Sequence, residues 1–184
     1  MQTFNDKTTY KTVNLDGAKL NLMVYNNGKL WDSNISVKTP EGKKVIGGRT
    51  YAEPEEFQVD AGAYNVEIIG REIYGVEATH ILKNLAVGNG AVSEAVHDFK
   101  TGIAVIGATS GGKPFDVLIK IKEAATGKEI FGKPAYKETL KFILNPGKYA
   151  VSMAEQGVYN SSAKGAEFTI EVKQGETLKT IKEV

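Results

Sequence analysis

The chain of 184 residues contains no cysteine. That absence excludes disulfides, zinc–thiolate sites and cysteine nucleophiles together. It also leaves small domains to hold together by burial alone. Histidine is nearly as scarce, with two residues. An excess of either charge is missing as well, since 23 Lys and Arg face 22 Asp and Glu for a net charge of +1. No basic cluster is interleaved with aromatics in the manner that tracks a phosphate backbone, so no nucleic-acid partner is expected. The longest apolar runs, such as residues 103–108, are far too short to cross a bilayer. No membrane insertion of this segment is expected. Residues 1–17 lack the apolar run of a signal peptide. No stretch keeps a 3.6-residue apolar period, so nothing can serve as the crossover helices of a parallel α/β fold.

What is present is a repeat. Phe57, Val59, Gly62, Tyr64 and Val66 match Phe142, Leu144, Gly147, Tyr149 and Val151 at an offset of 85. Gly42, Val45 and Tyr51 match Gly127, Ile130 and Tyr136. Tyr74, Leu85, Val87 and Gly90 match Tyr159, Ile170, Val172 and Gly175. Upstream the offset slips to 84, pairing Trp31 with Phe115 and Asp32 with Asp116, and then to 83, pairing Leu20 and Leu22 with Ile103 and Val105. Tyr10-Lys11-Thr12-Val13 resembles Leu178-Lys179-Thr180-Ile181, with Val96 at the matching place between them. The expected division is therefore 1–17 as the last strand of a preceding copy plus linker, 18–100 as one sandwich and 101–184 as the next. The chain reads as a piece of a longer repeat protein.

Within each copy the apolar residues alternate with polar ones, the period of half-buried strands. Glycine-containing turns separate them at Asn26-Asn27-Gly28, Ser110-Gly111-Gly112, Pro40-Glu41-Gly42 and Ala125-Thr126-Gly127. The expectation is an all-β protein of two tandem immunoglobulin-like (prealbumin-like) antiparallel β-sandwiches, about seven strands each. Phe57, Gly62, Tyr64, Phe142, Pro146, Gly147 and Tyr149 form the structural motif. Each glycine lets the chain reverse, and the tyrosine two residues on points inward with its hydroxyl on a backbone group, as in a tyrosine corner.

The pattern Phe142, Leu144, Pro146-Gly147, Tyr149, Val151 resembles the signature of prealbumin-like, carboxypeptidase-regulatory-like sandwich modules. The closing segments from Val87 to Gly90 and from Val172 to Gly175 resemble the final hairpin of that family. The first copy departs from the pattern with Ala61 in place of Pro146. Such modules recur in bacterial exported and cell-surface proteins, often in tandem. The resemblance implies an extracytoplasmic location, in the periplasm or at the cell surface, and other domains of the same longer chain as partners. Transthyretin-like hydrolases share the fold but end Tyr-Arg-Gly-Ser, whereas this chain ends Thr180-Ile181-Lys182-Glu183-Val184. Collagen-adhesin B-type modules join a Lys to an Asn. Lys19 is available for this in the first copy, and Thr101-Gly102-Ile103 stands there in the second.

The remaining candidates carry little chemistry. His80 and His97 lack partners at workable spacing and read as surface or loop residues. Asp32-Ser33-Asn34-Ile35-Ser36 is similar to a von Willebrand metal motif but enters a strand, so it reads as a strand entrance. Glu53, Glu55 and Glu56 read as a solvated loop. Ser110-Gly111-Gly112-Lys113 lacks the order and the helix of a phosphate loop. Trp31 and its equivalent Phe115 read as apolar plugs at one end of each sandwich and are the possible ligand contacts. No catalytic residue, metal site or cofactor is expected. The expected function is a non-catalytic structural spacer or protein-interaction segment of a larger exported protein. The alternative is a glycan- or peptide-binding module accessory to an enzyme domain.

Overall fold

A computed structural model describes residues 17–157 and 165–184. Residues 1–16, expected as a strand of a preceding copy, lie outside the described residues, and so does Tyr159.

Strands account for nearly all of the described chain. The first half runs β1 (Ala18–Asn26), β2 (Lys29–Leu30), β3 (Ser33–Lys38), β4 (Lys44–Arg49), β5 (Glu55–Val59), β6 (Gly62–Gly70), β7 (Ile73–Tyr74), β8 (Thr79–Val87) and β9 (Val92–Phe99). The second runs β10 (Gly102–Ser110), β11 (Lys113–Pro114), β12 (Val117–Glu123), β13 (Glu129–Ala135), β14 (Leu140–Leu144), β15 (Gly147–Glu155), β16 (Gly165–Val172) and β17 (Thr177–Glu183). One 3-10 turn, Val76–Ala78, follows β7.

These strands build four sheets. In the first half, β1 pairs with β2, β5 and β9, and the facing sheet has the order β4-β3-β6-β8. In the second, β10 pairs with β11, β14 and β17, opposite β13-β12-β15-β16. Not every ladder is antiparallel. β9 lies parallel to β1, and β17 lies parallel to β10.

Alternation fixes which face goes inward. Along β1, Ala18, Leu20, Leu22, Val24 and Asn26 are buried while their neighbours are half-exposed. Ile35 and Val37, Phe57 and Val59, and Tyr64, Val66 and Ile68 complete that core with Ala95 and Phe99. A separate core gathers Ala104, Ile106, Ile119, Ile121, Phe142, Leu144, Tyr149, Val151 and Ile170. Each fully buried aliphatic side chain contributes about 1.5–3 kcal/mol relative to exposure. Both halves bulge at one matching place, after Val37 and after Ile121.

Two expectations about phase need correction. Ile103 and Val105 are not the counterparts of Leu20 and Leu22. Leu20 faces Phe57 and Ala104 faces Phe142, so the inward residues of β10 are Ala104 and Ile106. Both faces of β10 are apolar, so alternation alone does not fix its phase. Val96 does not close the core either. It and Ile181 are exposed, and Ala95 and Phe99 fill the inward positions of β9.

Turn chemistry follows the residues. Asn27 and Gly28 have φ of 50° and 78°, and Gly111 and Gly112 have 59° and 72°. Positive φ at both central positions marks the hairpin turns whose twist suits the strands. The Tyr64 hydroxyl donates to the Asp60 carbonyl at 2.9 Å, and the Tyr149 hydroxyl donates to the Asn145 carbonyl at 2.7 Å. Burial raises the ionisation of both phenols, that of Tyr149 to about 12.

Candidate functional site

The junction between the two halves concentrates the polar chemistry. Its centre is the short strand β7, which leaves the first sandwich and adds to the edge of β14 in the second. Ile73 lies opposite Ile143 and Tyr74 opposite Leu144 in parallel register. The Asn145 N–H donates to the Tyr74 carbonyl at 3.2 Å. The Tyr74 ring meets Phe131 edge-on at 5.1 Å, and Phe131 meets Phe142 at 4.7 Å. Glu123, itself buried, accepts the Val76 N–H at 2.7 Å and the Thr126 hydroxyl at 3.0 Å. Gly75 makes this approach feasible, because a Cβ there would sit 2.6 Å from Asn145 Oδ1 at a φ of 122°. The linker is clamped separately. Asn27 donates its amide to the Thr101 carbonyl at 2.8 Å, and Thr101 donates its hydroxyl to Asn26 at 2.7 Å.

Trp31 faces this junction. Its indole N–H donates to the Arg71 carbonyl at 3.0 Å, and its ring packs partly against the first core. A cleft of about 280 Å³ opens beside it, lined by Asn27, Trp31, Thr101, Ile103, Lys141 and Ile143 among others. Ile103 and Ile143 belong to the second half, so both sandwiches build the walls. Phe115 occupies the equivalent place in the second half. Its backbone N–H bonds the Ala108 carbonyl at 3.0 Å, as that of Trp31 bonds Val24 at 2.8 Å.

A second recess of about 320 Å³ lies at the same junction, lined by Glu77, His80, His97, Asp98, Lys100 and Asn145 with their neighbours. The two histidines are not loop residues. They sit on β8 and β9, and their rings stack at 3.9 Å and 10°. The edge of Phe99 closes on His97 at 4.4 Å. Sequence spacing gave no hint of this, because the pairing joins two different sheets. Burial, then the neighbouring His80, pull the His97 ionisation down to about 4. His97 Nε2 and Asn145 Oδ1 are buried without a hydrogen-bond partner.

The other candidates are placed by surface electrostatics. Asp32 is held by Arg49 through a two-pronged contact and by Arg71 at 3.1 Å. The Arg49 hydrogen bond keeps its carboxyl below the usual carboxylate range. Guanidinium groups thus occupy the acid of the motif that is similar to a metal site. Glu55 and Glu56 lie on β5 rather than in a loop, and Glu56 pairs with Lys19 at 2.8 Å. Lys19 is half-exposed on its strand, away from the buried setting that an isopeptide bond needs. Ser110-Gly111-Gly112-Lys113 forms the β10–β11 turn. Among the described residues no three His, Asp or Glu side chains converge to hold a metal. Among them, too, no helix is long and apolar enough to cross a membrane.

No family model matches the chain. No curated protein matches it either. Solved structures do show similarity. The TIE protein of Bacillus anthracis is 22% identical over 90% of this chain, with a TM-score of 0.39, and this chain spans 34% of its length. A streptococcal ancillary pilin is 10% identical over 98% of this chain and 68% of its own, with a TM-score of 0.39. A Bacteroides ovatus protein provisionally assigned as an adhesin is 7% identical over 96% of this chain and 99% of its own, with a TM-score of 0.47. At these levels of likeness, function is read from the geometry of the chain itself.

Proposed function

We propose that the chain is a non-catalytic, ligand-binding pair of immunoglobulin-like, prealbumin-like sandwiches, divided as 18–100 and 101–184, in a larger bacterial surface or exported protein. Residues 1–17 belong to a preceding copy in this reading. The observation that carries it is the cleft beside Trp31, whose walls come from both halves. An aromatic ring flanked by amide, hydroxyl and ammonium groups suits a glycan or an extended peptide. The ring offers an apolar face, while Asn27, Thr101 and Lys141 offer polar groups that fix orientation. The site needs the junction intact, which gives the docked connector a purpose.

The test uses the tryptophan as its own reporter, since Trp31 is the sole one. Glycan arrays and peptide libraries are screened with the intact chain, and hits are titrated by Trp31 fluorescence. Binding should be lost in Trp31→Ala, read by isothermal titration calorimetry because that variant carries no tryptophan, and weakened at least tenfold in Lys141→Ser, a change at an exposed position. Hits that ignore both substitutions would remove the cleft from consideration.

A second reading, a rigid spacer, is favoured by the same interface. The connector contacts and the Asn27 clamp hold the halves at fixed orientation, as a stalk requires. Absence of any hit, together with a rod-like particle in scattering on the parent protein, would select it.

A further inference from the structure

The cleft beside Trp31 carries more positive than negative charge. Lys29 on β2 and Lys141 on β14 line it from the two halves, and among the described residues Glu176 is the one carboxylate on its wall. All three are exposed. Neither lysine pairs with a carboxylate among the described residues. The acids that flank the cleft are committed elsewhere. Asp32, next in the chain to Trp31, is held by Arg49 and Arg71. Asp98 accepts the Gly28 N–H at 3.2 Å, beside Lys29, and is held by Lys100. Neither acid cancels the two ammonium groups, so a ligand with negative charge is drawn to the cleft.

The walls also decide how a ligand is held. Ile103, Lys141 and Ile143 alternate with the buried Ala104, Phe142 and Leu144, so they stand on the outer face of their sheet. β7 already takes the edge of β14 at Ile143 and Leu144, so a peptide strand cannot pair with β14 there. What is left for recognition is side chains, an aromatic ring and two ammonium groups. At about 280 Å³ the cleft is small, with room for a ring-sized unit. A sugar ring that bears a carboxylate matches both features. Its face lies on the indole and its charge pairs with the lysines.

Given the binding role proposed above, on which this step rests, we infer that the ligand of the cleft is an acidic glycan, with a carboxylated sugar ring on Trp31 and its carboxylate paired with Lys29 and Lys141. Glu176 repels such a ligand. Its removal therefore strengthens binding, an effect that loss of structure cannot imitate.

The intact chain is screened on an array of uronate and sialate glycans beside their carboxyl-reduced counterparts, with acidic peptides as a third arm. Carboxylated glycans should bind, and their reduced forms should not. Hits are titrated by isothermal titration calorimetry. Lys29→Gln should weaken binding about fivefold and Glu176→Gln should strengthen it about threefold, both within the range of exposed charge pairs. The absence of any carboxylated hit, equal binding of the reduced forms, acidic peptides as the only hits, or carboxylated hits indifferent to both substitutions would each overturn the proposal. Trp31→Ala separates this step from the one it rests on. Neutral glycans that need Trp31 but ignore the charge substitutions leave the cleft standing and remove its acidic ligand. Hits that ignore Trp31→Ala as well remove the cleft itself.

Discussion

At the residue scale, the two tyrosines make similar bonds in different surroundings. Tyr149 is nearly inaccessible and donates at 2.7 Å to a carbonyl beside the junction, while Tyr64 donates at 2.9 Å nearer the surface. Removing a buried donor leaves its acceptor unpaired, at a cost of about 1–3 kcal/mol. Tyr149→Phe should therefore cost about 2 kcal/mol and Tyr64→Phe about 1 kcal/mol by that measure, read from the midpoints of urea unfolding. Equal effects would mean that burial does not govern them. His97 yields a second prediction. Its folded ionisation near 4 lies below the 6.5 of the free side chain. The unfolded chain then binds a proton that the folded one refuses. Stability from this group is complete above pH 6.5, falls as pH drops, and levels off below about 4. The total is on the order of 3 kcal/mol. The charged or titratable groups facing it are His80, Asp98, Lys100 and Glu77. His97→Phe keeps a flat ring against Phe99 and should flatten the stability profile between pH 6.5 and 4. An unchanged acid limb would assign that limb to other groups.

At the element scale, long alternating strands were legible and short ones were not. The nine residues of β1 and of β6 carry enough inward aliphatics to declare their phase. β10 misled because its outward Ile103 and Val105 are larger than its inward Ala104. A small inward residue is quiet in a hydrophobic pattern, and the register became readable only through its partner Phe142. The hydroxyl bonds of Tyr64 and Tyr149 were legible because each reaches a carbonyl only four residues back along the chain. β7 was not legible. Two residues have no period, and Tyr74 looked like one more repeat match. Its use lies in the other sandwich, against Phe131 and β14. The Trp31 cleft escaped for the same reason, since much of its wall belongs to residues distant in sequence, such as Ile103 and Ile143. The histidine stack joins strands of two sheets, and no spacing rule covers that.

At the scale of the whole molecule, the parallel first and last strands of each half decide how the halves follow one another. β9 runs beside β1 in the same direction, so the chain leaves a sandwich at the end opposite its entry. It passes through Lys100 and Thr101 straight into β10, and β17 repeats the arrangement. Such a unit propagates in a line, and a short linker alone would leave a hinge. The connector removes that hinge by pairing β7 with β14 while Asn27 holds Thr101. Gly75 is the position on which this depends. At its φ of 122° a side chain is strained, and a Cβ would meet Asn145 Oδ1 at 2.6 Å and the Tyr149 hydroxyl at 3.3 Å. Backbone in this region costs a non-glycine residue about 1–3 kcal/mol, before the clash is counted. Undocking the connector relieves both penalties while leaving each core untouched. Wild-type chain should therefore tumble as one body, with a single rotational correlation time from 15N relaxation in both halves. Gly75→Ala should split it into two shorter times with little loss of core amide protection. Two independent times in the wild type would show that the clamp at Asn27 and the strand at β7 do not suffice to fix the pair.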